Sequence, residues 1–584
     1  MRAHWEKLVA DADRRTGYFM AIQNADPASA DFGSTGMDFK YPDPKPTLFF
    51  ASNAVSAYLN PDSAYCGDTV VLDAVERALS YAERVQNPDG TFDFRPCNFR
   101  SAPDTAFIVN RIVTTRDLIT ASGDAAAASG GAAAPAAASG SALRRIASRL
   151  DAIIVAAGPG MAALGFHTPN HRWALAAALS SCARISGEDR FRQAAERYLA
   201  EGIDGNEDGE YAERSAGNYN MVNNDQMIIL SGELSDASFL EYVRRNLSMM
   251  LAYVDPDGSV FTNNSTRQDR GKKVYLDQYF FNYLYAGSKL GDAALTAAAR
   301  RIMDDIIAAG REAPDCLDRL MLEFGRLDYG GIDAAGAGAG AAAGAAGAGA
   351  AGAALPAETE RFYRESGIVR VRRGKSGFSL LRDAGRFLYV SSGAVTAYLK
   401  IGVSYFDKRE ARPTTIEREG DAYVLRAKLA GWYYQPFGKN PGTSDWWKMD
   451  NASRGLVPGP DLDFTITARE TLGRDGVELR LRAEGWKGVP VRFEIGVPAD
   501  SWVESEYFAT AATAGGAVLA KAGHARARIG ADVLEIGPCF AEHRDIGGTY
   551  GSEGRSPDHF TIYCADFSPF DRILTMRRVG ANGV

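Results

Sequence analysis

The sequence predicts an α/α toroid, closed or incomplete, followed by a C-terminal antiparallel β-sandwich. Three observations lead to this fold class. Apolar residues recur every three or four positions up to about residue 327. A run of only alanine and glycine then fills residues 334–354, and beyond residue 356 apolar and polar residues alternate. The expected domains are therefore a toroid at 1–330, a linker at 331–356 and a sandwich at 357–584.

Repeated hairpins are the reason to expect a ring in the helical half. Helical periodicity is clearest at residues 70–84, 143–157, 174–185, 191–201 and 239–253. An Asp-Gly turn follows three amphipathic segments, at Gly90, Gly209 and Gly258, and an aromatic residue comes soon after each. About five to seven helix pairs fit this length, which favours a toroid whose inner-helix entry loops line one cleft. An Ala/Gly/Ser-rich insertion at about 124–142 interrupts the pattern.

Alternating apolar and polar residues predict β-strands in the second half of the chain. The predicted strands lie at residues 367–372, 377–381, 386–391, 395–406, 422–427, 462–470, 476–483, 491–497, 533–537 and 559–565. Strands this numerous, joined by turns and without helical periodicity between them, are typical of stacked antiparallel sheets.

Composition excludes several classes of partner. A net charge of -8 and a pI near 5.5 argue against nucleic acid, which needs a basic surface. The N-terminus lacks the apolar core of a signal peptide, and no run of about 18 apolar residues suggests a membrane span. We therefore expect a cytoplasmic protein, or a secreted or periplasmic one if a leader has been removed. The six cysteines are spaced singly, as buried thiols are.

Residues 204–226 are the stretch in which we expect the chemistry. A polar loop here leads into an apolar helix, and Tyr219 stands at the start of that helix. Its phenol is the best candidate for proton transfer, although a tyrosine at an interface is the common alternative. The other polar side chains expected to contact substrate in this stretch are Arg214, Asn218, Asn220 and Asn224.

A second polar helix start lies at residues 165–173, GFHTPNHRW. Thr168 fits an N-cap and Pro169 a first helical residue, which places Asn170, His171 and Arg172 in the first turn. All three side chains can donate hydrogen bonds, and the free backbone N–H groups of a first turn attract anions. This turn is a candidate carboxylate site; alternatively, its polar residues only cap the helix.

No metal site is indicated. His167 and His171 are four residues apart, but Pro169 between them disfavours one continuous helix and no third ligand is suitably spaced. Residues 204–209 match the start of a calcium loop, yet Ser215 replaces the glutamate expected at its twelfth position. His167 is instead a candidate for substrate contact.

Two further polar loops follow Asp-Gly turns. The first contains Asn98 and Arg100, and the other contains Arg267. If toroid geometry brings these loops together, an acidic protein acquires a local basic, amide-rich pocket that suits an acidic sugar.

The order of GFHTPNHRW, then DGEYAERSAGNYN at residues 208–220, then a β-rich half resembles the heparinase II/III-like and alginate-lyase-like polysaccharide lyases. The resemblance implies that Asn170 and His171 neutralise a uronate carboxylate. It also implies that Tyr219, after a D-G-x-x-x-E-x-S pattern, transfers the proton. A histidine or tyrosine of the β half should complete the site, and the candidates are Tyr398, Tyr405, Tyr433, Tyr434, His543 and His559.

The predicted activity is thus a lyase that cleaves a uronic-acid-containing poly- or oligosaccharide by β-elimination. Since a free tyrosine titrates near pH 10, Tyr219 needs a neighbouring cation, for which Arg214 and Arg172 are the candidates. The chemistry requires no metal or organic cofactor. The partner is an acidic polysaccharide, and the sequence leaves homo-oligomerisation open.

Two alternatives remain at this point. A glycoside hydrolase on the same toroid would use carboxylates as acid and base, from among Asp104, Asp208, Glu213 and Asp225. A non-catalytic carbohydrate-binding protein is the other. Trp446 and Trp447 fit sugar stacking, although a contact in the core or between domains is the favoured interpretation.

Overall fold

The computed structural model describes residues 2–36, 41–96, 98–128, 137–165, 168–330, 358–546 and 555–580. The chain divides into two compact units. The helical unit comprises Met1–Leu251 and Ser265–Leu355, and the β unit comprises Ala252–Asn264 and Pro356–Val584.

The described part of the helical unit contains twelve α-helices. They are α1 (Arg2–Ile22), α2 (Pro44–Leu59), α3 (Thr69–Val85), α4 (Ala102–Ala128), α5 (Ala137–Ala163), α6 (Pro169–Ser186), α7 (Asp189–Leu199), α8 (Tyr219–Glu233), α9 (Ser238–Ala252), α10 (Phe280–Leu290), α11 (Ala293–Ala308) and α12 (Leu317–Phe324). Two short hairpins accompany them, β1 (Thr35–Gly36) with β2 (Pro42–Asp43) and β3 (Phe92–Phe94) with β4 (Asn98–Ser101).

The even-numbered helices form the inner layer of a ring. Helix α2 packs on α4, α4 on α6, α6 on α8 and α8 on α10, while α12 packs on α2 and α4. On the outside, α1 packs on both α2 and α11, so the last hairpin meets the first. The predicted α/α toroid is confirmed, with one inner and one outer helix in each pair.

Local sequence explains where the inner helices begin. Asp43 precedes α2 and its carboxylate accepts a hydrogen bond from the Lys45 backbone N–H at 2.9 Å, with proline in the first turn. Helix α6 begins at Pro169 as predicted, although the Thr168 side chain makes no capping hydrogen bond. Helix α8 begins at Tyr219, so both polar stretches of the sequence do open inner helices.

The alanine-rich insertion is helical at both ends. Helix α4 continues to Ala128 and α5 begins at Ala137, as the high helix propensity of alanine favours. Residues 140–163 are also long and apolar enough to cross a membrane: an 18-residue window within them has a mean hydropathy of 1.3, and 44% of that window is buried. Helix α5 packs on α3, α4, α6 and α7, which accounts for its apolar surface.

A largely buried network of charges, centred on the fully buried Asp318, joins the last inner helix to the others. On α4, Arg111 donates to the Asp315 carboxylate at 2.9 Å and lies 3.3 Å from Asp318. On α12, Arg319 donates to Asp225 of α8 at 2.6 Å. Buried charges persist only when they are paired, so these contacts fix where α12 sits in the ring.

The described part of the β unit contains two nine-stranded sheets. The first runs in the order β20 (Ala517–Leu519), β23 (His559–Phe567), β17 (Pro490–Pro498), β9 (Val395–Tyr405), β8 (Arg386–Ser392), β7 (Ser376–Leu381), β6 (Ile368–Arg373), β5 (Glu358–Tyr363), with β10 (Lys408–Glu410) on β9. The second runs β11 (Thr415–Glu419), β12 (Ala422–Leu429), β15 (Leu462–Glu470), β16 (Gly476–Gly485), β24 (Phe570–Val579), β22 (Asp532–Gly537), β21 (Ala525–Ile529), β18 (Trp502–Ser505), β19 (Ala509–Ala511). A hairpin of β13 (Trp432–Tyr434) and β14 (Leu456–Pro458) stands apart.

These sheets share one apolar core, and the predicted β-sandwich is confirmed. Phe493 of the first sheet contacts Phe570 of the second, with ring centres 5.4 Å apart. All described strand pairs are antiparallel except β20 with β23, which is parallel. Alternation in the sequence found this half because each strand turns every second side chain into the core.

The third Asp-Gly turn belongs to the β unit. Within residues 252–264, Val254 and Val260 form an antiparallel bridge around the turn. On β6, Arg370 donates to the Asp255 carboxylate at 2.7 Å and to the Tyr253 carbonyl oxygen at 3.2 Å. Strand-to-turn hydrogen bonds therefore hold this segment in the β unit.

The buried charges suggest a stability test. Arg111→Ala leaves the Asp315 and Asp318 carboxylates without their guanidinium, and we expect the free energy of unfolding to fall by about 3–5 kcal/mol. Urea denaturation followed by the helical circular dichroism signal measures the change. Arg301→Ala, which removes an exposed pair with Asp305 on α11, should stay within about 0.5 kcal/mol of wild type. Equal losses in the two variants would contradict the structural role of Arg111.

Candidate functional site

Four side chains connect the beginnings of α6 and α8. The Asn170 amide nitrogen donates a short hydrogen bond to the Glu213 carboxylate. The other Glu213 oxygen lies 3.4 Å from Nε of Arg267. The Arg267 guanidinium in turn lies over the Tyr219 ring, 4.9 Å from the ring centre. We call these four residues the Asn170–Tyr219 cluster.

Burial and charge oppose each other at Glu213. Burial raises the pKa of the Glu213 carboxyl above its usual value, while the Asn170 hydrogen bond and the Arg267 charge act against this rise. The neighbouring Tyr219 side chain raises the pKa of the Arg267 guanidinium, and the Glu213 charge adds to that effect. Arg267 therefore stays positively charged beside the phenol.

Asp269 fixes the loops that carry the cluster. Its carboxylate accepts hydrogen bonds from the Ser215 hydroxyl at 2.9 Å, the Gly217 backbone N–H at 2.8 Å and the Ser265 hydroxyl at 2.6 Å. The Ser215 hydroxyl also accepts a hydrogen bond from the Tyr219 backbone N–H at 3.1 Å. A side chain at Gly217 would begin 2.9 Å from the Asp269 carboxylate and would displace the group that joins these loops. Sequence reasoning missed Asp269, because nothing local marks it as a bridge.

A backbone contact places Arg267 beside Glu213. The Thr266 hydroxyl donates to the Glu213 carbonyl oxygen at 2.8 Å. The Arg267 loop is thereby attached directly to the loop that precedes α8. Arg267 was predicted only as a substrate contact, and the structure adds its contact with Tyr219.

The two arginines proposed to hold Tyr219 are engaged elsewhere. Buried Arg172 donates to Glu201 and Asp204, each at 2.8 Å. Arg214 has a positive φ of 51° and lies 3.8 Å from Glu210. The prediction that Arg172 or Arg214 lies beside Tyr219 is therefore wrong, and the cation beside this tyrosine is Arg267.

Arg214 also lines a pocket of about 310 Å³. The other side chains of this pocket include Asp204, Asn206, Glu210 and Tyr211. Arg214 thus remains accessible to a bound molecule, whereas Arg172 supports the loop at residues 201–204.

Two of the predicted substrate contacts lie in the core. Asn224 accepts from the Tyr211 hydroxyl at 2.9 Å and donates to Asn246 at 2.8 Å. Asn220 is fully buried with its amide 3.8 Å from the Met250 sulfur. Both side chains are fully buried against α9, so neither is available to substrate. Asn218, at the N-cap position, is exposed.

The neighbouring inner helices add an aromatic and a basic side chain. His171, half-buried in the first turn of α6, has its ring centre 6.1 Å from that of Phe107 on α4. Lys45, in the first turn of α2, lies 5.1 Å from the centre of the same Phe107 ring. Lys45 is a basic residue that the sequence did not single out. The predicted contact His167 lies outside the described residues.

The first polar loop forms the β3–β4 hairpin. Asn98 is half-buried there, and Arg100 is exposed with its Nε 2.5 Å from the Asp89 carboxylate. Asp89 also holds the Thr91 hydroxyl, so the ion pair ties Arg100 to the turn that precedes β3. Nothing in these contacts joins either residue to the Asn170–Tyr219 cluster.

The candidate residues of the β half have internal partners. The Tyr405 hydroxyl makes a short hydrogen bond to the Pro460 carbonyl oxygen, which fixes the phenol at the end of β9. The Tyr398 ring packs edge-on against His559, with centres 5.0 Å apart. Burial lowers the pKa of His559, and the Arg386 charge adds to this. Among the described residues, no group of three His, Cys, Asp or Glu side chains is arranged to hold a metal ion.

Comparison with known proteins shows the fold. No protein-family model matches the chain, and no curated protein matches it significantly. Among solved structures, a xanthan lyase from Paenibacillus aligns over 99% of this chain with a TM-score of 0.50 and 11% identity. This chain spans only 57% of that lyase. The likeness supports the toroid and the sandwich and, at such low identity, the fold alone.

Two further matches have lower TM-scores. A chondroitin AC lyase from Streptomyces coelicolor A3, in complex with chondroitin sulphate, shares 12% identity over 98% of this chain and 79% of its own, with a TM-score of 0.49. Endoglucanase CelQ from Clostridium thermocellum shares 9% identity over 100% of this chain and 93% of its own, with a TM-score of 0.29. The resemblance to the heparinase II/III-like lyases stays a prediction.

The raised pKa of Glu213 can be tested by measuring how the free energy of unfolding changes with pH. Because its folded-state pKa is raised, the folded protein holds this proton more tightly than the unfolded chain does. The stability of wild type relative to Glu213→Gln should therefore be greatest below the usual pKa of 4.5 and should fall as the pH rises through the raised value. Urea denaturation between about pH 4 and pH 7 measures this difference.

Glu241 provides a control of opposite sign. The hydrogen bond from Arg244 lowers the pKa of Glu241, so the stability of wild type relative to Glu241→Gln should rise over the lower part of the same range. If the stability of wild type relative to Glu213→Gln also rises with pH, the raised pKa of Glu213 is contradicted.

Proposed function

We propose that the chain is a polysaccharide lyase that cleaves a uronic-acid-containing poly- or oligosaccharide by β-elimination. The observation that carries this proposal is the Arg267 guanidinium held over the Tyr219 ring at the entrance of an inner helix. A phenol beside a fixed cation can act as a base, because the cation stabilises the negative charge of the phenolate.

The same contact supports a complete proton cycle. As phenolate, Tyr219 takes the proton from C5 of the uronic acid, and the electron pair of that C–H bond passes into the carboxylate as an enolate. The electrons then form the C4–C5 double bond while the bond from C4 to the glycosidic oxygen breaks. The Tyr219 phenol returns its proton to that oxygen, so one residue serves as base and acid.

The first turn of α6 is the proposed site for the substrate carboxylate. An enolate gains stability from hydrogen-bond donors aimed at its oxygens, and a helix start supplies such donors. Half-buried His171 is the accessible side chain of this turn. Buried Asn170 already donates to Glu213, so we assign it the role of a positioning residue that fixes the turn relative to Arg267.

Basic residues favour an acidic substrate. Lys45, which lies 3.8 Å from Asp104, shares Phe107 as a neighbour with His171, and Arg267 lies over the Tyr219 ring. A uronate polymer would meet these local positive charges in spite of the net charge of -8. The lyases on chondroitin and xanthan that align with this chain are consistent with such a substrate class.

The hydrolase alternative loses its best-placed acid. Asp225 accepts hydrogen bonds from Asn282 at 2.7 Å and from Arg319 at 2.6 Å. Both hydrogen bonds go to Oδ1 and hold the Asp225 carboxylate against α10 and α12 as a structural contact. Glu213 is buried and bonded to Asn170, so it is better suited to positioning than to attack on a sugar.

Replacing the phenol tests the proposal directly. Tyr219→Phe removes the proton-transfer group and should lower kcat by about 10²-fold or more. The assay follows the ultraviolet absorbance of the unsaturated product on a panel of alginate, hyaluronate, heparin-like, gellan-type and plant glucuronate substrates. Tyr18→Phe, at an exposed position on α1, should retain wild-type activity. Cleavage without new absorbance, or a Tyr219→Phe variant of normal rate, would contradict a tyrosine-dependent lyase.

Replacing the cation tests the role of Arg267. Arg267→Ala should lower kcat by about 10²-fold, because the developing negative charge loses the cation beside it. Arg267→Lys should recover part of the rate. Arg190→Ala removes an exposed arginine on α7 and should leave both kcat and KM unchanged. An effect of Arg267→Ala confined to KM would instead assign Arg267 to substrate binding.

A further inference from the structure

The hairpin of β13 and β14 carries an unusual group of aromatic side chains. Trp432 is 43% exposed and Trp446 is 48% exposed, while Tyr434 and Phe437 are half-buried beside them. We call these four residues, together with Arg454, the aromatic surface. Trp447 next to it is 90% exposed. Neither tryptophan of the 446–447 pair is buried in a core, contrary to the favoured interpretation of the sequence.

Arg454 organises this surface. Its guanidinium lies 4.6 Å from the centre of the Tyr434 ring, 4.8 Å from Phe437 and 5.8 Å from Trp446. The Trp432 ring packs edge-on against Tyr434, with centres 5.0 Å apart. Arg454 thus holds aromatic rings from the strand and from the hairpin loop around one positive charge.

The hydrogen bonds of Arg454 keep it in this position. Nε donates to the Gln435 carbonyl oxygen at 2.8 Å, and Nη1 lies 3.3 Å from the Asn451 side-chain oxygen. The Asn451 amide in turn donates to the Trp446 carbonyl oxygen at 3.1 Å. The cation and the exposed tryptophan are therefore fixed relative to each other before any ligand binds.

Charge indicates the chemistry of the ligand. Within the described part of the chain, no carboxylate forms an ion pair with Arg454, and its Nη2 has no hydrogen-bond partner. The nearby Lys448 is paired with Asp445 at 3.2 Å, whereas Arg454 and the exposed Lys439 form no ion pair with a described carboxylate, so this hairpin carries uncompensated positive charge. An exposed aromatic patch around a fixed positive charge suits a ligand that has both an apolar face and a negative group.

We propose that the aromatic surface binds acidic sugar units of a polysaccharide. The C–H face of a pyranose ring would pack on the exposed indole of Trp446 or Trp432, and the carboxylate of the sugar would pair with Arg454. The choice of an acidic polysaccharide as the ligand rests on the proposed function, whereas the surface itself belongs to the β unit. The β unit would then make a contact of its own with the polymer.

The experiment measures binding without turnover. Full-length protein carrying Tyr219→Phe is run by affinity electrophoresis through gels that contain hyaluronate, alginate or, as a neutral polymer, dextran. We expect Trp446→Ala and Arg454→Gln each to weaken retardation by the acidic polymer that binds best by about five- to tenfold. Dextran should retard none of the proteins. Melting curves check that the variants are folded, and Trp432→Ala repeats the test on the strand side.

Trp486→Ala is the matched control. Trp486 is 51% exposed but lies outside the β13–β14 hairpin, so its removal should leave the retardation unchanged. The inference is overturned if Trp446→Ala, Trp432→Ala and Arg454→Gln all bind as tightly as the parent. It is also overturned if dextran binds as well as the acidic polymers, or if Trp446→Ala only converts a dimer into monomers.

The two proposals can fail separately. If the protein cleaves no polymer but these variants still weaken binding, the lyase activity is wrong and the aromatic surface stands. If cleavage requires Tyr219 and the variants bind normally, the lyase activity stands and the aromatic surface is wrong. In a working lyase, Trp446→Ala should raise KM for a long polymer several-fold and leave kcat on the shortest cleaved oligosaccharide unchanged.

Discussion

The candidate site depends on the contacts that the Arg267 guanidinium makes with Glu213 and Tyr219. This guanidinium lies between the Glu213 carboxylate and the Tyr219 ring, and Glu213 in turn holds Asn170. Without this cation, a buried carboxylate and a phenol would face each other with nothing to balance a negative charge on either. One side chain thus makes the entrances of α6 and α8 parts of a single chemical unit.

The ring of helices explains how such distant residues meet. Inner helices begin at the same end of a toroid, so the loops that precede them converge although they are far apart in sequence. Asp269 then joins two of these loops through three hydrogen bonds. Paired charges between Arg111, Arg319 and their partners hold the last inner helix in place. The site is consequently supported by a rigid frame, as proton transfer over short distances requires.

The β unit contributes a different kind of chemistry. Its core comes from alternating apolar side chains, whereas its β13–β14 hairpin exposes tryptophan around Arg454. Exposing large aromatic side chains costs solubility and adds nothing to the core, so such a group is expected where a ligand binds. A polymer with many repeating units can occupy a reactive site and a second surface, and the second contact adds to the affinity of the first.

The sequence by itself determined the two halves and the starts of α6 and α8, because helical periodicity, alternation and the residues at helix ends are local signals. It also singled out Asn170, His171 and Tyr219, which stand at those helix starts. Only the tertiary structure decided that Arg267, and not Arg172 or Arg214, contacts Tyr219, and that Asn220 and Asn224 belong to the core. Those outcomes depend on which loop meets which across the ring and on the direction of each side chain, and no local pattern encodes contacts between residues fifty positions apart.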